Sequence, residues 1–209
     1  SFNPNRFCGK VMLGFLISLA AGNPVYAQSE ESKSFKPNTM RESPSAKERA
    51  RLLNSKQGVS QLPLRELFNV LAFKTQARDG LSFDDVLASM KLRANKINLK
   101  LVGANPLWKE VTATTGQPTP RVEIFSFCDA LLARELLDYS LESIVFMPCR
   151  IAVLEDADKK IWLVTLNWDI DWLDSKTRTD PMPEHLRRGI QHLLNGVHEI
   201  IRAGAAGDF

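Results

Sequence analysis

Two periods of apolar residues run through the second half of this chain. In RVEIFSFC, residues 121–128, Val122, Ile124 and Ser126 alternate with Glu123, Phe125 and Phe127, and a period of two predicts a strand. In residues 80–98 the period changes. Phe83, Val86, Leu87, Met90 and Ala94 recur at three and four residue steps, which predicts a helix, with Ser82 as its cap and Asp84 and Asp85 in its first turn. The same reasoning predicts a strand over residues 68–75, a short strand in LKLVGANPL closed by a Gly-Asn-Pro turn, and a helix over residues 130–139 capped by Asp129. ESIVFMPCRIAVLED and KIWLVTLNWDIDW read as a hairpin around Ala157 and Asp158. Pro183 opens a last helix that carries Leu186, Ile190, Leu193, Leu194, Val197, Ile200 and Ile201.

These elements predict an α+β domain over residues 62–209, with one mixed sheet and helices packed mainly on one face. The sheet is expected to be mixed because a helix between two strands normally returns the chain to make them parallel. Both parities of the hairpin strands are largely apolar, so the second sheet face needs a cover, such as a homodimer partner or another protein.

The N-terminal third follows other rules. Arg6 and Lys10 precede an acid-free apolar run at residues 11–22, and small residues lead to Ala27. This order predicts a secretory signal over residues 1–27. The run of about a dozen residues falls short of the about 20 that a spanning helix needs, which favours a cleaved signal over a retained anchor touching the membrane through residues 11–22. Either reading puts the domain outside the cytoplasm, in the periplasm or on the outer face of the inner membrane. Residues 28–61 are rich in Ser, Lys, Glu and Arg and read as a polar linker, within which residues 45–54 have a short helical pattern.

Charge narrows the partners further. The chain has 27 basic and 24 acidic side chains, a net charge of +3, too mild for affinity built on phosphate neutralisation, so no nucleic-acid partner is expected. No Walker loop, Rossmann glycine pattern, HExxH motif or Ser-His-Asp arrangement appears, and no catalytic residue, cofactor or metal is assigned. His185 and His192 lie two turns apart on the last helix, about 10 Å, too far for one metal ion. Gly189 and Gly196, interleaved with them, suggest close packing against another element, a partner helix among the options.

KLVGANPL, VEIFSFCDA, FMPCRIAVLEDADKKIWL and the ending EIIRAGAAGDF together resemble the bacterial domain-of-unknown-function family numbered 302, over residues 67–209. The resemblance implies a compact α+β fold, a dimer as in relatives, frequent export, and no assigned reaction. It carries Cys128, Asp129, Pro148, Cys149 and Arg150 forward as signature positions.

Three kinds of chemistry follow for these residues. Cys128 and Cys149 are redox candidates, since an exported compartment permits a disulfide, but parallel strands would separate them beyond the about 7 Å that the bond allows unless the segment 139–148 doubles back. Their other reading is as small buried hydrophobes, with the helix dipole favouring a thiolate at Cys128. A two-residue hairpin loop would set Val153 opposite Trp162, Ile151 opposite Val164 and Cys149 opposite Leu166. Arg150 would then face Thr165, with Asn167 and Asp169 on its side, as an Arg150–Asp169 ion pair or as an anion pocket. Trp168 and Trp172 beside that polar end suit an interface or a lid over the core. The leading expectation is an exported, non-enzymatic accessory or binding module, as a homodimer or a subunit docked on a cell-envelope membrane complex. The alternatives are a thiol redox or metal-handling protein using Cys128 and Cys149, and small-anion binding at Arg150.

Overall fold

Five strands form one sheet in the order β1-β5-β4-β3-β2, and every neighbouring pair is antiparallel. The computed structural model describes residues 38–54, 62–171 and 182–209. All belong to one compact unit, Ser34–Phe209; a second unit, Ser1–Lys33, lies outside the described residues, and with it the predicted signal and membrane contact. The strands are β1 (Ala72–Gln76), β2 (Lys100–Asn105), β3 (Val122–Cys128), β4 (Cys149–Glu155) and β5 (Ile161–Leu166). The helices are α1 (Ala46–Asn54), α2 (Leu64–Leu71), α3 (Phe83–Lys96), α4 (Leu107–Thr115), α5 (Ala130–Tyr139) and α6 (Glu184–Ala206), with a 3-10 helix at Leu141–Phe146.

The α+β reading with one sheet holds, and the sheet is antiparallel throughout where a mixed one was expected. After α5 the 3-10 helix packs back along it and returns the chain to the finishing end of β3. Cys149 therefore pairs opposite Phe127, and β4 runs back beside β3. The segment expected as one long strand from residue 142 is thus half 3-10 helix, and the strand begins only after Met147 and Pro148.

One side of the sheet is closed by α3, α5 and α6. Phe125, Phe127, Ile151, Val153 and Leu163 point there and are buried with Val86, Met90, Val197, Ile200 and Ile201. Ser82 and Asp85 form the capping box that starts α3, and the Asp129 carboxylate accepts from the amides of Leu131 and Leu132, both at 3.1 Å, to start α5. The glycines of α6 serve this packing within the chain. A Cβ on Gly189 would lie 2.7 Å from Leu132, and one on Gly204 would lie 2.8 Å from Leu163 and 3.2 Å from Met90. A partner helix is not what these positions accommodate.

The other side carries Ala72, Lys74, Val122, Ile124, Ala152, Leu154, Trp162 and Val164. Much of its cover comes from the chain itself. Residues 68–71, expected in a strand, belong to α2, because Leu64, Leu67, Phe68 and Leu71 recur at helical steps behind Pro63 and only Ala72 turns extended. Part of the expected linker also docks. The Met40 amide donates to Asp156 Oδ2 at 3.3 Å, the Ala157 amide donates to the Asn38 carbonyl at 3.0 Å, and Asn69 donates to the Glu42 carbonyl at 2.9 Å. The helical pattern of residues 45–54 is realised as α1, whose Arg49 donates to the Ala72 carbonyl at 3.1 Å.

Candidate functional site

The hairpin of β4 and β5 decides which side chains meet. Its loop has three residues, with Lys159 at φ 62°, and the Asp156 carboxylate accepts from the amides of Asp158 (3.0 Å) and Lys160 (3.1 Å). The extra loop residue moves the register by one from the two-residue expectation. Val153 faces Leu163, Ala152 faces Val164 and Leu154 faces Trp162. The alternation within β4 is untouched, so Cys149 turns toward the core and the exposed Arg150 turns away. Thr165, however, shares the side of Cys149, contrary to the expected pairing with Arg150.

At the far end of the hairpin the two strands part. The ladder between them ends at Ala152 and Val164; beyond it Cys149–Ile151 pair only with β3, and Thr165 and Leu166 only with β1. The Thr165 hydroxyl bridges the gap by donating to the Arg150 carbonyl at 2.6 Å. A cleft of about 510 Å³ opens there, between Phe68, Ile124, Phe146, Arg150 and Trp168 on the outer side and Val197 and His198 of α6 at depth. Phe146 and Trp168 stack at its rim, ring centroids 4.8 Å apart. His198 stacks on Phe73 at 3.9 Å, and burial, then Arg202 and Arg49, lower its pKa. These forces favour neutral imidazole.

A second cavity of about 770 Å³ lies along the same sheet face, and both cavities are lined by Phe68, Ala72 and Val164. Its walls are residues 38–41 and α2; its floor is Val122, Leu154 and Val164; Arg41, Arg65 and Lys74 supply its cations. Arg41 pairs with Glu66, whereas Lys74 donates to Asn69 Oδ1 at 2.5 Å and Arg65 joins no ion pair among the described residues. Burial lowers the Lys74 pKa, and Arg41 and Arg49 lower it further against Glu66. The two carboxylates of this cavity are already engaged. Glu155 holds Lys159 at 2.8 Å, and Asp156 accepts from three backbone amides and from Trp162 Nε1 at 3.0 Å.

The residues singled out in the sequence are scattered over this geometry. Cys128 and Cys149 reach the same end of the sheet, as doubling back of 139–148 requires, yet both are free thiols. Cys149 shares a face with Phe127, so the two-residue period turns Cys128 to the other face. Burial, with the Cys128 thiol adding to it, pushes Cys149 up to about 11, and burial followed by Asp129 raises Cys128. Desolvation and the Asp129 carboxylate thus push the Cys128 thiol away from the thiolate that the helix start was expected to favour. No Arg150–Asp169 ion pair forms; the Asp169 carboxylate accepts from the Asp171 amide at 2.9 Å. The Asn167 amide donates to the Leu71 carbonyl at 2.7 Å, which ties the end of β5 to α2. Trp172 lies outside the described residues. Lys74, Arg65, Phe68 and His198 escaped the sequence reading. The one legible signal was Lys74, a cation inside the apolar run LAFKT.

One antiparallel sheet, with a helical layer on one face and a groove under its own N-terminal segment on the other, defines a two-layer α+β fold. Residues 73–195 match the family described as "Domain of unknown function DUF302", and the chain belongs to that family. Among solved structures it is similar to an uncharacterized conserved DUF302 protein from Bacillus stearothermophilus. That likeness covers 64% of this chain and 97% of the other at 8% identity, with a TM-score of 0.51, which establishes the shared fold. No curated protein matches the chain.

Proposed function

We propose that the chain is an exported, non-enzymatic binding module that works through an apolar ridge at the 3-10 helix, as a homodimer or as a subunit docked on a cell-envelope complex. The observation that carries this reading is the exposure of four apolar side chains, Leu141, Ile144, Val145 and Phe146, within one 3-10 helix. Leu141 is 69% exposed, Ile144 53% and Val145 72%, and Leu131, on the helix that the 3-10 helix packs against, is 79% exposed. Scattered exposed apolar residues are ordinary on any protein, whereas a contiguous ridge is characteristic of an interface. The basic, apolar, small-residue order of residues 6–27 supports export. The sequence directed the expected partner to the second sheet face; the docking of residues 38–42 there leaves the ridge as the better surface.

Light scattering of the full chain tests self-association. A dimer that Val145→Asp converts to a folded monomer is the expected result. A wild-type monomer that also recovers no envelope protein when isolated from its native membrane fraction would sink the proposal. Reactivity tests the thiol alternative, and the burial of Cys149 counts against it. With Cys149 protonated up to about pH 11, native protein titrated with a disulfide reagent at pH 7.5 should release the Cys149 equivalent only on unfolding.

A further inference from the structure

The groove on the sheet face begins beside the docking ridge, whose Val145 and Phe146 line its first end with Arg150, and runs from there to a second end of different chemistry. From Leu154 to Arg150 the floor runs four residues along β4, about 13 Å at the strand rise. Its lining along the way is Ile124, Ala152, Val164 and Phe68, which have no polar side-chain atom. At the end near residues 38–41 stand Lys74 and Arg65, neither of them in an ion pair among the described residues. Adding negative charge there would relieve a crowd of cations, because Lys74 sits in the field of Arg41 and Arg49 with Glu66 alone opposing it. Arg49 contributes to that field with an Nη1 that is buried without an acceptor among the described residues. Of the acids in its lining, Glu155 is paired with Lys159, and Asp156 stays an anion held by four uncharged donors. An apolar trough whose end is lined by three cations, Arg41, Arg65 and Lys74, against two carboxylates, Glu155 and Asp156, carries an excess of positive charge complementary to one class of molecule.

We infer that this groove binds a free single-chain carboxylate amphiphile, with the acid on Lys74 and Arg65 and the hydrocarbon chain laid along Val164 and Ile124 past Phe68. A lone alkyl chain suits the floor because its apolar lining runs along the strands beside α2. A monoanion suits the head because two cations are available and the third, Arg41, is held by Glu66.

The test is calorimetric titration of the full chain with dodecanoate below its micellar concentration, beside dodecanol and acetate. Dodecanoate should bind about tenfold more tightly than dodecanol, and acetate should not bind measurably. The double variant Lys74→Met, Arg65→Met should remove that tenfold preference while leaving dodecanol binding intact, which shows that the groove is still folded. Equal affinity for dodecanol and dodecanoate overturns the assignment of an acid, as does a preference that survives the double variant. Binding only to phosphatidylglycerol vesicles, with none to free dodecanoate, overturns the free-ligand assignment in favour of a membrane surface. The docking ridge is judged separately: a monomer that binds dodecanoate supports the groove while counting against self-association, and a dimer that binds none of the probes does the reverse.

Discussion

The two faces of the sheet are built from the same strands, yet they are closed in different ways. On the side of α3, α5 and α6, Phe127, Ile151, Val153 and Leu163 are fully buried, and the glycines of α6 leave room for neighbouring side chains such as Leu132 and Leu163 to press against the helix. On the other side Ile124, Ala152, Leu154 and Val164 are only half-buried, under one short helix and a polar segment. The difference teaches that apolar alternation sets which residues leave water without deciding how tightly the space above them is filled. A face covered by long amphipathic helices reaches interior density; a face covered by polar backbone keeps cavities.

The largest expected effect compares the faces directly. Phe127→Ala should cost about 3–5 kcal/mol in denaturant unfolding, while Ile124→Ala should cost clearly less, because its site already borders open space. Equal losses would mean that the two faces are equally filled. Next comes Gly204→Val, which adds volume 2.8 Å from the fully buried Leu163 and should cost about 1–3 kcal/mol by the same measurement.

A smaller, pH-dependent effect distinguishes the groove side. Burial raises the Asp156 pKa, but the amides of Lys160, Met40 and Asp158 and the Trp162 indole together outweigh it and hold the carboxyl below its ordinary value. A depressed folded pKa adds stability that is complete above the unfolded value of about 3.9 and is lost as pH falls through the folded one. Acid titration should therefore weaken the wild type below about pH 4 and release the amides of Met40 and Ala157 to exchange, and Asp156→Asn should flatten that dependence. Arg150→Leu should have the smallest effect, within about 0.5 kcal/mol, since the exposed guanidinium joins no ion pair among the described residues. A larger loss would restore the ion-pair reading. A small-anion thermal shift that vanishes in this variant would instead support the anion site at Arg150.

Legibility followed how local each determinant was. Ser82, Asp129 and Pro183 announced helix starts because capping acts within three residues, and β3 announced itself by alternation. The hairpin was legible but its register was not, since Lys159 takes a left-handed conformation that a lysine does not advertise. Residues 64–71 carry apolar positions compatible with either period, and only Pro63 marks the helix start. The direction of β4 depended on α5 and Leu141–Phe146 folding against each other, a tertiary event with no local signal. The groove was least legible of all. Its walls come from residues 38–41 and α2, its floor from three strands, and its cations from positions as far apart as 41 and 74.

Asp156 joins two scales of the chain in one carboxylate. Its bonds to Asp158 and Lys160 close loops of two and four residues, while its bond to Met40 spans 116. Chain closure grows costlier with separation, so the short loops form first and present the acceptor ready-made. The amino-terminal strap then lands on a finished hairpin, and the trough acquires its wall as a late step in folding.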